Sequence, residues 1–143
     1  MSPEETIHAS CVAIGGRGVL LRGRSGSGKS DLALRLIDRG AALVSDDYTR
    51  LRVDGGRLLA SAPETIAGRI EVRGLGILEM PAARETAVCI LIDLDREVPR
   101  MPPQDDSESL LGSDIPRLSI SALEPSAPIK VELALKRLGI SLP

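Results

Sequence analysis

The sequence predicts an α/β domain with a central mixed sheet, an N-terminal hairpin and a closing C-terminal helix. Three observations predict it. A short apolar run leads into a glycine-rich loop that opens directly into a helical pattern. AVCILI over 87–92 is a continuous apolar run of strand length, as a strand covered on both faces requires. Near the C-terminus Val131, Ala134, Leu135 and Leu138 fall at helical spacing, i, i+3, i+4, i+7. A chain of 143 residues with 43% hydrophobic and 27% charged residues suits one globular domain over 1–143.

Taken in order, His8–Ile14 and Arg17–Arg22 are short apolar-rich runs separated by Gly15-Gly16, a dipeptide that tolerates the positive φ angles of a two-residue hairpin turn. The glycine-rich loop follows. Asp31–Arg39 then carries Leu32, Leu36 and Ile37 on a helical repeat, and Gly40 supplies the left-handed residue that ends a helix. Ala41–Ser45 reads as a short buried strand. Leu51–Val53 and Arg57–Leu59 flank Asp54-Gly55-Gly56, a second hairpin signal. Pro99–Pro116 is rich in Pro, Asp and Ser without periodicity and reads as a long mobile loop, with Leu118–Leu123 as a last strand. Pro128 and Gly139 bracket the final helix.

Composition excludes several classes of function. With no Phe, no Trp and one Tyr, the chain lacks the rings on which single-stranded nucleic acid stacks. A net charge of −2 offers no basic field to a polyanion, so no nucleic-acid partner is expected. No apolar run is long enough to span a membrane, and the acidic start of the chain is unlike an export signal, so the cytoplasm is the expected compartment. Cys11 and Cys89 stand alone in apolar runs and read as reduced core residues.

The loop itself is Gly23-Arg24-Ser25-Gly26-Ser27-Gly28-Lys29-Ser30, which meets G-x-x-x-x-G-K-[ST] at every fixed position and sits between a strand and a helix. Glycines let backbone N–H groups turn inward around phosphate oxygens, and the helix N-terminus adds partial positive charge. Lys29 is placed to reach terminal phosphates and the Ser30 hydroxyl to ligate Mg²⁺.

Three further groups are expected at this loop. A strand after the helix should run parallel to Val19–Arg22 and deliver Asp46-Asp47 to the phosphate edge. Of two adjacent carboxylates there, one can stay ionised beside a metal while the other handles a proton. A hairpin in register about Gly15-Gly16 puts His8 opposite Gly23. Finally, Glu71-Val72-Arg73-Gly74-Leu75-Gly76 sets a carboxylate and a guanidinium on a glycine-rich bend, suited to Mg²⁺ and a phosphoryl oxygen.

Together these motifs resemble the catalytic domain of HPr kinase/phosphorylase: His8, G-R-S-G-S-G-K-S-D over 23–31, the helix ending Arg39-Gly40, Ser45-Asp46-Asp47, and E-V-R-G-L-G over 71–76. The resemblance implies a bifunctional enzyme. Such an enzyme phosphorylates a serine of the phosphocarrier protein HPr with ATP or pyrophosphate, and removes that phosphate with inorganic phosphate. It further implies Lys29 on the β/γ-phosphates, Ser30 and Glu71 on Mg²⁺, and Asp47 as the proton acceptor and, in reverse, the donor. Asp46 stands beside Asp47, and His8 matches the family's active-site histidine. Arg73 belongs to the matched element, and Arg100 is the nearest counterpart of the family's later catalytic arginine. Members of the family are typically hexamers. The chain begins almost at the catalytic histidine, has no clean Asp-Arg-Leu-Gly element, and continues Pro128-Ile129-Lys130-Val131 with Glu132 where the family has Gly-Arg-Asn.

Two other readings start from the same loop. A small-molecule kinase would use Asp93, at the end of the AVCILI strand, as its Mg²⁺-linked acid, with Arg96 and Arg100 nearby. A nucleotide-sensing module would bind ATP without turnover. The acidic run Asp105-Asp106-Ser107-Glu108 reads as a solvated loop tip.

Overall fold

A computed structural model describes residues 4–101 and 106–142. Among the described residues, eleven strands and two helices follow one another as β1 (Glu4–Ile7), β2 (Ala9–Ile14), β3 (Arg17–Arg22), α1 (Lys29–Asp38), β4 (Ala42–Ser45), β5 (Thr49–Asp54), β6 (Arg57–Ser61), β7 (Arg69–Val72), β8 (Gly76–Glu79), β9 (Thr86–Asp93), β10 (Ser107–Leu110), β11 (Ser113–Ser119) and α2 (Ala127–Leu138). A single 3₁₀ turn at Glu64–Ile66 precedes β7. The main sheet has the order β1-β5-β6-β9-β3-β2-β4, and β11 joins it on β9. The hairpin β7–β8 stands apart as a two-stranded sheet.

Both sequence hairpins form in the expected register. Ile14 faces Arg17 across Gly15 and Gly16, at φ 56° and 79°, which is the doubly left-handed turn that matches strand twist. Asp54 faces Arg57 across Gly55 and Gly56 in the same way. β9 is central: β3 pairs along one of its edges in parallel, while β6 and β11 divide the other between them. Where β3 meets β9 the register slips between Gly18 and Val19, and a side chain on Gly18 would lie 2.7 Å from the Ala87 carbonyl oxygen, so only glycine admits the approach.

The sheet alternates its burial. Val12, Val19, Leu21, Leu43 and Ile92 point toward α1 and α2, which bury Leu32, Ala33, Leu36, Val131 and Leu135 against them. Cys11, Leu20, Val44 and Leu91 point the other way, where the curl of the sheet brings Leu51, Leu58 and Ile115 over them. The core is aliphatic throughout, and each fully buried Leu or Ile contributes about 1.5–3 kcal/mol on transfer from water. Arg17 closes the C-terminal end of α2 by donating to the carbonyls of Leu135 and Ile140. No described helix is long and apolar enough to cross a membrane.

β4 runs parallel to β3 as expected, with β2 lying between them, antiparallel to both. Several other expectations are corrected. Of the loop expected over 99–116, residues 102–105 lie outside the described residues, and 107–116 belong to the β10–β11 hairpin, which turns at Leu111-Gly112. Polar residues hold this hairpin. Arg117 donates to Asp106 at 2.8 Å and to Glu108 at 2.8 Å, leaving little apolar alternation to see in the sequence. The last strand accordingly ends at Ser119 rather than Leu123. Asp106 and Glu108 are ion-paired rather than solvated, while Asp105 lies outside the described residues. Leu138 is 42% exposed and does not join the core face of α2.

Candidate functional site

Strands β3, β4, β9 and β11 all run in one direction, so their C-terminal ends share one edge of the sheet. The glycine loop leaves β3 at that edge. Gly26 and Gly28 take φ 85° and 99°, and α1 begins at Lys29 with no side chain capping its free N–H groups. The loop is closely closed. A side chain on Gly23 would lie 2.4 Å from Ser27 Oγ, and that hydroxyl is buried without a hydrogen-bond partner. The buried Lys29 ammonium folds back to donate to the carbonyls of Gly23 at 2.7 Å and Arg24 at 3.2 Å. Arg24 and Ser25 are exposed at the tip.

β4 delivers the two acids, and the backbone separates them. The Tyr48 N–H donates to the Asp46 carbonyl at 2.7 Å across Asp47, which sits at φ 66°: a γ-turn with a non-glycine residue in the left-handed region. Asp46 therefore faces inward and Asp47 outward. Asp46 is buried; its carboxylate accepts from Ser30 Oγ at 2.6 Å, Ser10 Oγ at 3.3 Å and the Glu71 amide at 3.0 Å. Asp47 is 45% exposed. Its Oδ1 is 2.8 Å from His8 Nε2, which donates when that nitrogen carries the proton, and 3.6 Å from Lys29 Nζ. The His8 ring stacks on Tyr48 with centroids 5.1 Å apart.

His8 reaches this position through the hairpin. Ala9 pairs with Arg22, and His8 is the next residue outward. Ser10, two residues further, was not singled out in the sequence, yet it donates to Asp46 and accepts from the Asp47 amide at 2.9 Å. Its signal is a lone hydroxyl in the otherwise apolar strand ASCVAI. Glu71 touches the acid pair through its backbone only; its carboxylate is exposed on β7. Arg73 is exposed in the β7–β8 turn, and Arg100 is exposed beyond β9, neither with an ion pair among the described residues. The structure thus brings His8, Lys29, Ser30, Asp46 and Asp47 together, while Arg73 and Arg100 make no hydrogen bond or ion pair with them among the described residues.

On the other side of the loop, Arg22 is clamped. It donates to Asp93 at 3.0 Å and to both carboxylate oxygens of Glu108 on β10, one of them at 2.7 Å. The Arg22 guanidinium holds the Glu108 carboxyl down to about 2, and Glu108 in turn raises Arg22. Asp93 is buried, with one oxygen on Arg22 and the other on the Asp95 amide. It is a structural counter-ion, so the reading that made it a metal-linked acid is not favoured. Asp95 accepts from the Arg24 amide at 2.6 Å and so ties the loop tip to the end of β9.

Oxygen donors suited to Mg²⁺ are present. The Ser30 hydroxyl and the Asp46 carboxylate lie together at the first turn of α1, and Glu71 on β7 donates its backbone N–H to the same carboxylate. No cluster of three His, Cys, Asp or Glu occurs among the described residues. Mg²⁺ on a nucleotide needs none, since it keeps waters and takes one or two protein oxygens plus phosphate. The orphaned Ser27 hydroxyl, the glycine cradle and the uncapped helix fit an anionic phosphate chain.

These features define a class: a glycine-loop α/β domain whose curled mixed sheet carries an acid pair and a histidine at its C-terminal edge. Within that class the chain belongs to the family of the HPr serine kinase C-terminal domain, whose model matches residues 1–131. It is 32% identical over 160 residues to the HPr kinase/phosphorylase of Geobacillus kaustophilus (strain HTA426), covering 99% of this chain and 51% of that protein. With the HPr kinase/phosphorylase of Caldanaerobacter subterraneus subsp. tengcongensis it shares 37% identity over 133 residues, 84% of this chain and 44% of that one. The chain therefore spans about half the length of the curated relatives it matches. The structure of the Hpr(Ser) kinase/phosphatase from Coxiella burnetii superposes with a TM-score of 0.79 at 29% identity, covering 92% of this chain and 94% of that one.

Proposed function

We propose that this domain transfers the γ-phosphoryl group of ATP to a serine hydroxyl of HPr or an HPr-like phosphocarrier in the cytoplasm. In reverse it transfers the phosphoryl group of phosphoserine-HPr to inorganic phosphate, giving pyrophosphate. The observation that carries this reading is the Asp47 carboxylate, half-exposed, held by His8 at 2.8 Å and 3.6 Å from the Lys29 ammonium.

A serine hydroxyl is a weak nucleophile and needs a base within hydrogen-bond reach. Asp47 is open to an incoming side chain, and its left-handed backbone aims it away from Asp46. Asp47 takes the serine proton as the serine oxygen bonds to phosphorus and the bridging oxygen leaves. Protonated Asp47 returns that proton to the serine oxygen in reverse, as microscopic reversibility requires of one site. His8 fixes the carboxylate, and Tyr48 fixes His8 by stacking. The Gly23–Gly28 amides and the Lys29 ammonium bind the phosphate chain. Ser30, with Asp46 and Glu71, would hold Mg²⁺, which when bound neutralises charge on the phosphate oxygens.

Intact-mass measurement of HPr after incubation with the domain, Mg²⁺ and ATP tests the reading. A gain of one phosphate that Lys29→Ala abolishes supports it; an unchanged mass with ATP bound overturns it in favour of a nucleotide-sensing module.

A further inference from the structure

Leu123 is the most exposed large apolar residue among the described residues, at 83%. It is nonetheless held firmly. Ala122 beside it is buried, and Arg35 of α1 donates to the carbonyls of Ala122 and, at 3.1 Å, Glu124. The turn closes on itself through Glu124 N–H to Ser121 and Ala127 N–H to Glu124. The leucine side chain is therefore presented to solvent from a fixed backbone.

That place is against the phosphate loop. Built on Gly28, a Cβ would lie 2.9 Å from Ala122 Cβ and 4.0 Å from Leu123 Cδ2. Sheet order then gives direction. The acid pair leaves β4 on one side of β3, while the Leu123 turn follows β11, beyond β9 on the other side. Phosphoryl transfer sets the attacking and leaving oxygens roughly in line. With the acceptor hydroxyl at Asp47, the leaving diphosphate and the nucleoside it carries point away from β4, toward β9 and β11.

We propose that the Ser121–Glu124 turn is the nucleobase subsite, with Leu123 as an apolar shelf against one face of the base of a nucleoside triphosphate. The proposal rests on the phosphate-loop reading above and extends it to the donor's other end. It also separates donors by class: an inorganic polyphosphate has nothing to lay on Leu123.

Calorimetric titration of the wild-type domain and Leu123→Ser with Mg·ATP and Mg·tripolyphosphate tests this, since the two ligands share a phosphate chain and differ by the nucleoside, and serine removes the apolar contact without adding charge. Loss of contact over roughly half a leucine side chain weakens ATP by about tenfold and leaves tripolyphosphate within about twofold. In methyl NMR spectra the Leu123 methyl signals shift by ring current with ATP and stay in place with tripolyphosphate. Equal weakening of both ligands, or none, overturns the subsite while leaving the phosphate loop intact. Failure of both ligands to bind the wild-type domain overturns the loop reading and the subsite with it.

Discussion

Replacing Glu108 with Gln removes the charge that clamps Arg22 immediately before the glycine loop while keeping the shape of the side chain. Glu108 is 26% exposed and accepts two contacts from Arg22 and one from Arg117. Unfolded, its carboxyl titrates near 4.5; folded, the Arg22 hydrogen bond holds it at about 2. A carboxyl whose folded value is depressed stabilises the protein fully above the unfolded value, and that stabilisation is lost as pH falls from about 4.5 toward 2. The two values set a ceiling of roughly 3 kcal/mol, and solvent screening at a partly exposed site lowers it to roughly 1–2 kcal/mol. Urea unfolding at pH 7 is expected to show Glu108→Gln less stable by that amount. At pH 2.5 the gap shrinks, because wild-type Glu108 is then itself becoming protonated. Glu85, held down by Arg52, contributes to both proteins and cancels in the difference, whereas Asp106 shares Arg117 with Glu108 and is coupled to the substitution. A deficit that stays constant from pH 7 to pH 2.5 would show that the charge of Glu108 is not what clamps Arg22.

Two further outcomes follow from the site. Asp47→Asn keeps the fold, because asparagine tolerates φ 66° well, yet it lowers HPr phosphorylation by a factor of about 10² or more in both directions while ATP affinity stays near wild type; single-turnover assays beside titration read both, and near-normal turnover refutes the proton role. Gly23→Ala sets a methyl 2.4 Å from Ser27 Oγ and forces the loop to shift, so tripolyphosphate affinity falls at least about tenfold with a melting loss of about 1–3 kcal/mol, measured by calorimetry.

Much of the fold is legible where backbone conformation is written in residue type. Gly15-Gly16, Gly55-Gly56 and Gly40 all take the left-handed angles their neighbours require, so both hairpins and the end of α1 can be read locally. The β10–β11 hairpin is not legible in this way, because charge pairs rather than apolar alternation hold it, and a run of Asp, Ser and Glu looks like a loop until Arg22 and Arg117 are in place. The placing of β2 between β3 and β4 is a tertiary choice that no local pattern records. At the site, register arithmetic brings His8 to the glycine loop and topology brings Asp46-Asp47 there, whereas Ser10 and the inward turn of Asp46 depend on contacts 36 residues apart.

The aliphatic core has an optical consequence. With no tryptophan, the ultraviolet emission of the domain comes from Tyr48 alone, and that ring lies half in solvent against the imidazole beside Asp47. The domain therefore carries a built-in fluorophore at the edge of its candidate site and none in its interior. A change in its emission on adding a ligand would report on the candidate site itself without a label, and packing changes elsewhere in the molecule would leave the signal unaltered.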